Sequence, residues 1–164
     1  MRTAIVTDSN SGIFEQEAKQ MGIRVIPMPV ILDEKTYYEG RDLSHREFFQ
    51  LLEEGRHVSS SQPSLEDIKE TWEKLFEEGY EEIVHIPMSS GLSGSFQSAR
   101  MLARKYDGRV QVADNHRISV TLRQSVEEAL ALAQQGKGAA EIKEVLEKKA
   151  LDAIIFVGVE TLEY

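Results

Sequence analysis

The chain has 164 residues, 41% of them apolar and 29% charged, with no cysteine and a formal net charge of −9. That length and apolar content suit one globular domain with its own core and exclude an intrinsically disordered chain. The missing cysteines exclude disulfides, thiolate metal sites and cysteine nucleophiles, and the acidic balance argues against a nucleic acid partner, whose phosphates need a basic face.

No run approaches the roughly 20 apolar residues of a transmembrane helix. The short apolar stretch in Met1–Val6 is followed at once by Asp8, so no cleavable leader is read and the cytoplasm is the expected location. Thr3–Thr7 is predicted as the first strand. Ile23–Leu32 is the second; Pro27 and Pro29 cannot donate to a ladder, which places it at a sheet edge or bends it at its middle. Asp33, Glu34 and Lys35 then form a turn, and Thr36–Tyr38 returns as a short antiparallel strand.

Ser44 with Glu47 and Ser64 with Asp67 form capping boxes that open two helices, the first ending near Gly55 and the second closed by Gly79. In the second, Leu65, Ile68, Trp72, Leu75 and Phe76 recur at spacings of three and four and are expected to share one core face. Trp72 is thereby assigned to packing and not to a ligand. Ile83–Ile86 is a third, parallel strand, followed by the loop Pro87–Gly94 and a helix from Ser95 to about Lys105. Val110–Ala113 is the next strand. Helices over Ser119–Gln135 and Ala139–Lys149 are separated by Gly136-Lys137-Gly138, and Ala153–Val157 is a last buried strand. This alternation predicts an α/β fold: a mostly parallel sheet with helices on both faces, in a Rossmann-like three-layer arrangement. The chain stops a few residues beyond the last predicted strand, as a truncated protein would.

Three serine-rich segments fall where such a sheet places its ligand, in loops beyond strand ends that run into helices: Thr7-Asp8-Ser9-Asn10-Ser11, Ser59-Ser60-Ser61-Gln62-Pro63-Ser64 and Ser89-Ser90-Gly91-Leu92-Ser93-Gly94-Ser95. Hydroxyls beside backbone amides at helix starts make a site for the oxygens of an anion. None of the three contains Lys or Arg. A phosphate usually recruits those cations, whereas a single carboxylate is satisfied by two or three neutral donors, so a carboxylate is favoured. For Ser44 and Ser64 a plain capping role outweighs ligand binding. For Ser60 and Ser93 the coincidence of three such loops at one face tips the balance toward the anion.

These segments, with Met88–Ala99 read as Met-Ser-Ser-Gly-Leu-Ser-Gly-Ser-Phe-Gln-Ser-Ala and the terminal Val159-Glu160-Thr161-Leu162-Glu163-Tyr164, resemble successive motifs of the DegV family, in order and over essentially the whole chain. The resemblance implies that residues 1–164 are the amino-terminal α/β domain of that family's fold, with the carboxyl-terminal domain outside this chain. It implies a palmitate-like fatty acid between the two domains, its carboxylate held by Ser60, where the family usually has Thr, and by Ser93, with Ser61 and Gly94 beside them. Asp8, Ser9 and Ser90 are secondary candidates, and for Asp8 and Ser9 a plain helix start is the weightier reading. It further implies a carrier with no catalytic residue, metal or cofactor of its own. A fatty acid kinase catalytic subunit would phosphorylate the presented carboxylate, giving an acyl phosphate for phospholipid synthesis. After Asp114, where the family more often has Asp-Ser and small residues, Thr121, Leu122 and Arg123 are bulkier here and are expected to narrow the pocket or alter a partner surface.

Two rivals remain. Gly91-Leu92-Ser93-Gly94-Ser95 nearly fits a serine hydrolase elbow with Asp114 and His116 downstream, but its fifth position is Ser where the motif has Gly. A phosphotransfer or phosphate-ester-binding domain related to a dihydroxyacetone kinase subunit is the other, although the lysine of a phosphate loop is missing. His45, His57, His85 and His116 show no metal-binding spacing and are assigned to surface or capping roles, and Arg56 and His57 to a solvated position.

Overall fold

The computed structural model describes residues 2–32, 34–38, 45–55, 58–60, 63–87, 95–114 and 119–149. Strand β1, Thr3–Asp8, is buried at all six positions, as a strand covered on both faces must be. It pairs in parallel with β2, Arg24–Ile26, through Val6↔Arg24 and Asp8↔Ile26. The second predicted strand does bend at its prolines, and the bend is a change of sheet. β3, Pro29–Leu32, leaves the parallel sheet and pairs antiparallel with β4, Lys35–Tyr38, and with β5, Val58–Ser60. On the other side of β1 lies β6, Glu82–Ile86, and beyond it β7, Val110–Val112, both parallel. The sheets are thus a parallel β2-β1-β6-β7 and a small antiparallel β4-β3-β5.

Helices α1, Glu15–Met21; α2, His45–Glu53; α3, Leu65–Glu77; α4, Ser95–Ala103; α5, Ser119–Gln134; and α6, residues 139–149, follow the predicted order. Alternation along the strands sorts two cores. Ala4, Val6, Ile83, Val110 and Val112 pack against α3 and α4 through Ile68, Trp72, Leu75, Phe96 and Ala99. Ile5, Val84 and Ile86 pack against α1, α5 and α6 through Ala18, Leu122, Val126, Ala129, Ile142 and Leu146. The expected α/β class with helices on both faces is therefore what forms.

Several boundaries differ from expectation. Leu65 is 52% exposed, because it sits in the first turn of α3 at the rim of the apolar arc that Ile68, Trp72 and Leu75 centre. The helix from Ser95 ends at Ala103 and tightens into a 3-10 turn over Arg104–Tyr106. Ser64 caps α3 as predicted, its Oγ accepting from the Asp67 amide at 3.1 Å. Ser44, Asp33 and the strand predicted over Ala153–Val157 lie outside the described residues. Gly79, at φ +103°, and Gly136, at φ +87°, take backbone conformations that a side chain would strain, and so mark the ends of α3 and α5. The start of α6 is held by a carboxylate: the Ala139 amide donates to Glu82 Oε1 at 2.8 Å, the charge its positive dipole end favours.

Candidate anion site at the strand ends

In the first serine loop the hydroxyls of Ser9 and Ser11 bond backbone groups. Ser11 Oγ donates to the Asp8 carbonyl at 2.9 Å and accepts from the Ile13 amide at 3.2 Å. Ser9 Oγ accepts from the Met28 amide at 3.0 Å, pinning the crossover at which the chain passes from β2 into the second sheet. Asp8 and Ser9 are both buried, at the end of β1 and in a 3-10 turn over Ser9–Ser11. This loop does not run directly into a capped helix, as the sequence suggested. α1 begins later, after Phe14, with no side-chain cap, because the 3-10 turn absorbs the serines first.

The second segment also differs from expectation. Ser60 ends β5 and faces Val30 across an antiparallel ladder, so this loop leaves the small sheet and not the parallel one. The third begins beside the first: β1 and β6 are paired neighbours, and Thr7 Oγ1 donates to the Ile86 carbonyl at 2.7 Å, fixing the strand end from which Pro87 departs. Ser61, Ser90, Ser93 and Gly94 lie outside the described residues, as do His57 and His116.

Sequence reasoning missed His85. It is 2% exposed on β6 and occupies a core position, not the surface or capping role assigned to it. Trp72 Nε1 donates to its Nδ1 at 3.2 Å, and the two rings meet edge to face with centroids 5.4 Å apart. Tyr106 packs on Trp72 in the same manner at 5.5 Å. Burial among apolar neighbours pushes the imidazole down to about 3, so His85 is neutral, and with Nδ1 accepting, the proton sits on Nε2. A signal was present: a polar residue inside the continuous buried run Ile83–Ile86 needs a partner, and Trp72 was the donor on the facing helix.

A cleft of about 260 Å³ between the end of β2 and α3 is lined by Val25, Pro27 and Tyr38 together with Asp67, Glu70 and Lys74. Lys74 faces Glu70 at 3.4 Å, and the acidic surplus does not suit a carboxylate ligand. Leu122 is fully buried in the second core, and Arg123 bridges α5 to α1, Nη1 donating to Glu17 Oε1 at 2.9 Å and Nε to Glu127 Oε1 at 3.0 Å.

The model of the DegV family matches residues 2–164. The chain belongs to the DegV family. A DegV domain-containing protein of Listeria innocua is 33% identical over 162 residues, which is 95% of this chain and 56% of the relative. Among solved structures, a DegV family protein from Thermus thermophilus, described for its fatty acid binding, superposes with a TM-score of 0.81 at 30% identity over 92% of this chain and 54% of its own. DegV of Bacillus subtilis, described as a fatty acid binding protein, gives 0.80 at 27% identity, with the same coverage of 92% and 54%. This DegV chain thus spans about half the length of the relatives it matches. No helix among its described residues is long and apolar enough to cross a membrane, and no cluster of metal-ligating side chains occurs among them.

Proposed function

We propose that this chain supplies the head-group half of a carrier that holds a long-chain fatty acid by its carboxylate. The observation that carries the reading is the superposition, at TM-scores of 0.80 and 0.81 over 92% of the chain, on two proteins described as binding fatty acids. The serine loops add to it, since they offer neutral donors and no cation. In this reading Ser60 and Ser93 donate to the carboxylate, Ser61 and Gly94 stand beside them, and Ser90 is a secondary contact. Asp8 and Ser9 stay secondary contacts, Ser9 also tying the first loop to the Met28 amide. The acyl tail contributes affinity at about 0.8 kcal/mol per buried methylene, and a second domain encloses it. The carrier performs no chemistry and presents the carboxylate to a fatty acid kinase, whose acyl phosphate product enters phospholipid synthesis.

Mass spectrometry of lipid released from the complete gene product tests this. A bound fatty acid is expected, and Ser60→Ala with Ser93→Ala is expected to weaken its affinity by about 10- to 100-fold, the value of hydrogen bonds to a charged group, without unfolding the protein. No lipid released, and none taken up on addition, would overturn the reading. Binding of phosphate esters in place of fatty acid would instead favour a phosphotransfer role.

A further inference from the structure

The buried polar side chains of this fold are unevenly placed. Among the described residues, Thr7, Asp8, Ser9, Ser11 and His85 lie at the carboxyl ends of β1 and β6 or in the turn just beyond, whereas only Thr3, at the start of β1, and Ser125, in α5, are buried polar side chains elsewhere. The partner of His85 is a side chain on a different element, Trp72 of α3. Both are buried, at 2% and 0% exposure. A pair of this kind is seldom retained for stability alone, since replacing both partners by apolar groups of similar shape costs little, whereas removing one leaves a buried group unsatisfied. Its worth is directional: it fixes where the two elements stand relative to each other.

Those two elements are the ones that carry the second and third serine segments. α3 begins immediately after Ser64, and β6 runs into Pro87, three residues beyond Val84 and two beyond His85. Trp72 is locked in turn by Tyr106, whose hydroxyl donates to Glu73 Oε1 of the same helix at 2.9 Å, so the indole has little freedom to follow a displaced histidine. On the other flank, Thr7 fixes the Ile86 carbonyl. The end of β6 is thus tied from both sides, to α3 through Trp72 and to β1 through Thr7.

We infer that the Trp72–His85 hydrogen bond is a positioning device that sets how the start of α3, at Ser64, stands relative to the end of β6, at Ile86 and Pro87, and so tunes affinity for the carboxylate proposed to bind at this end of the sheet. Neither residue touches the ligand in this scheme. The inference rests on the fatty acid reading for its ligand, but its geometric content stands apart from it.

The test separates positioning from stability in the complete gene product, with oleate as the probe. Trp72→Phe and His85→Leu are each expected to lower the thermal midpoint, because each leaves one buried polar group without its partner. The double variant Trp72→Phe/His85→Leu is expected to recover most of that midpoint yet bind oleate about tenfold more weakly than the wild type, whereas His85→Gln, which keeps an acceptor for the indole, recovers binding. Wild-type oleate affinity in the stable double variant would overturn the inference and leave the carrier reading untouched. Should the wild-type protein itself not take up oleate, hydrogen exchange decides the matter. Faster exchange in peptides covering 58–65 and 86–96 of the double variant, with β1 and α5 unchanged, supports the positioning role. Unchanged exchange there refutes it.

Discussion

The two faces of the parallel sheet are built from different materials. Under α1, α5 and α6 the core is aliphatic, with Ala18, Ala113, Ala129 and Ala139 letting helices approach the strands closely. Under α3 and α4 it holds Trp72 and Phe96, flanked by Phe76, Tyr80 and Tyr106, with His85 hydrogen-bonded among them. Aliphatic burial is strong but non-directional, so it holds a layer in place without specifying its register. Edge-to-face rings and a buried N–H···N bond have preferred geometries and specify it. The directional face is the one whose helices follow the second and third serine segments. One face supports the fold, and the other also sets the spacing of the proposed head-group site.

The largest effect that could break this contrast comes from truncating one anchor on each face. Trp72→Ala is expected to cost about 4 kcal/mol in urea unfolding, since it leaves a large cavity and an unpartnered His85 Nδ1, and Leu122→Ala about 3 kcal/mol. Although the two losses are similar, oleate binding measured well below the midpoint is expected to weaken only in Trp72→Ala. An equal loss in Leu122→Ala would show that the aliphatic face also shapes the site.

A smaller effect sharpens the contrast through pH. The folded-state value for His85, about 3, lies below its ordinary 6.5 because of burial. The unfolded chain therefore binds the proton first, so the stabilisation is fully present above about pH 6.5 and is lost progressively as pH falls toward 3. Between those limits the group contributes a slope of up to about 1.4 kcal/mol per pH unit. The stability curve of Trp72→Phe/His85→Leu is expected to run correspondingly flatter than that of the wild type from pH 6.5 to 4. Parallel curves would mean that water reaches the imidazole and the core is not closed around it.

The fold was legible because it rests on period and punctuation. Buried runs such as Ile83–Ile86, the Gly136-Lys137-Gly138 break and the Ser64 cap are local signals, and each lands within a residue or two of its place. The prolines at 27 and 29 signalled a bend but not its destination, because leaving one sheet for another depends on β5, distant in sequence, arriving to pair with β3. Leu65 misled because periodicity knows a helix face but not where the sheet beneath it stops. His85 was lost for a related reason: a histidine is judged by spacing to other histidines, whereas its role here depends on a tryptophan brought opposite by the tertiary fold. Of the candidate site, the described residues include the first loop, where the engagement of Ser9 and Ser11 with backbone groups emerged only from three-dimensional contacts.

The smallest expected effect lies on the aliphatic face, at the bridge from Arg123 to Glu17 and Glu127. The Arg123 hydrogen bond holds the Glu17 carboxyl below its ordinary value, with a further Coulombic contribution partly opposed by desolvation. Its stabilisation is thus present above the usual carboxylate range and fades as pH falls through it. Arg123 is 33% exposed and Glu17 41%, so solvent screens most of the attraction, and Arg123→Met is expected to cost less than about 1 kcal/mol near neutral pH. That cost should shrink further in about 1 M salt, where the screening length falls to about 3 Å. The guanidinium spans α1 and α5, both on the face away from α3 and α4, so oleate affinity should not change. A binding defect in Arg123→Met at preserved stability would place part of the site's support on the aliphatic face and end the division of labour between the two.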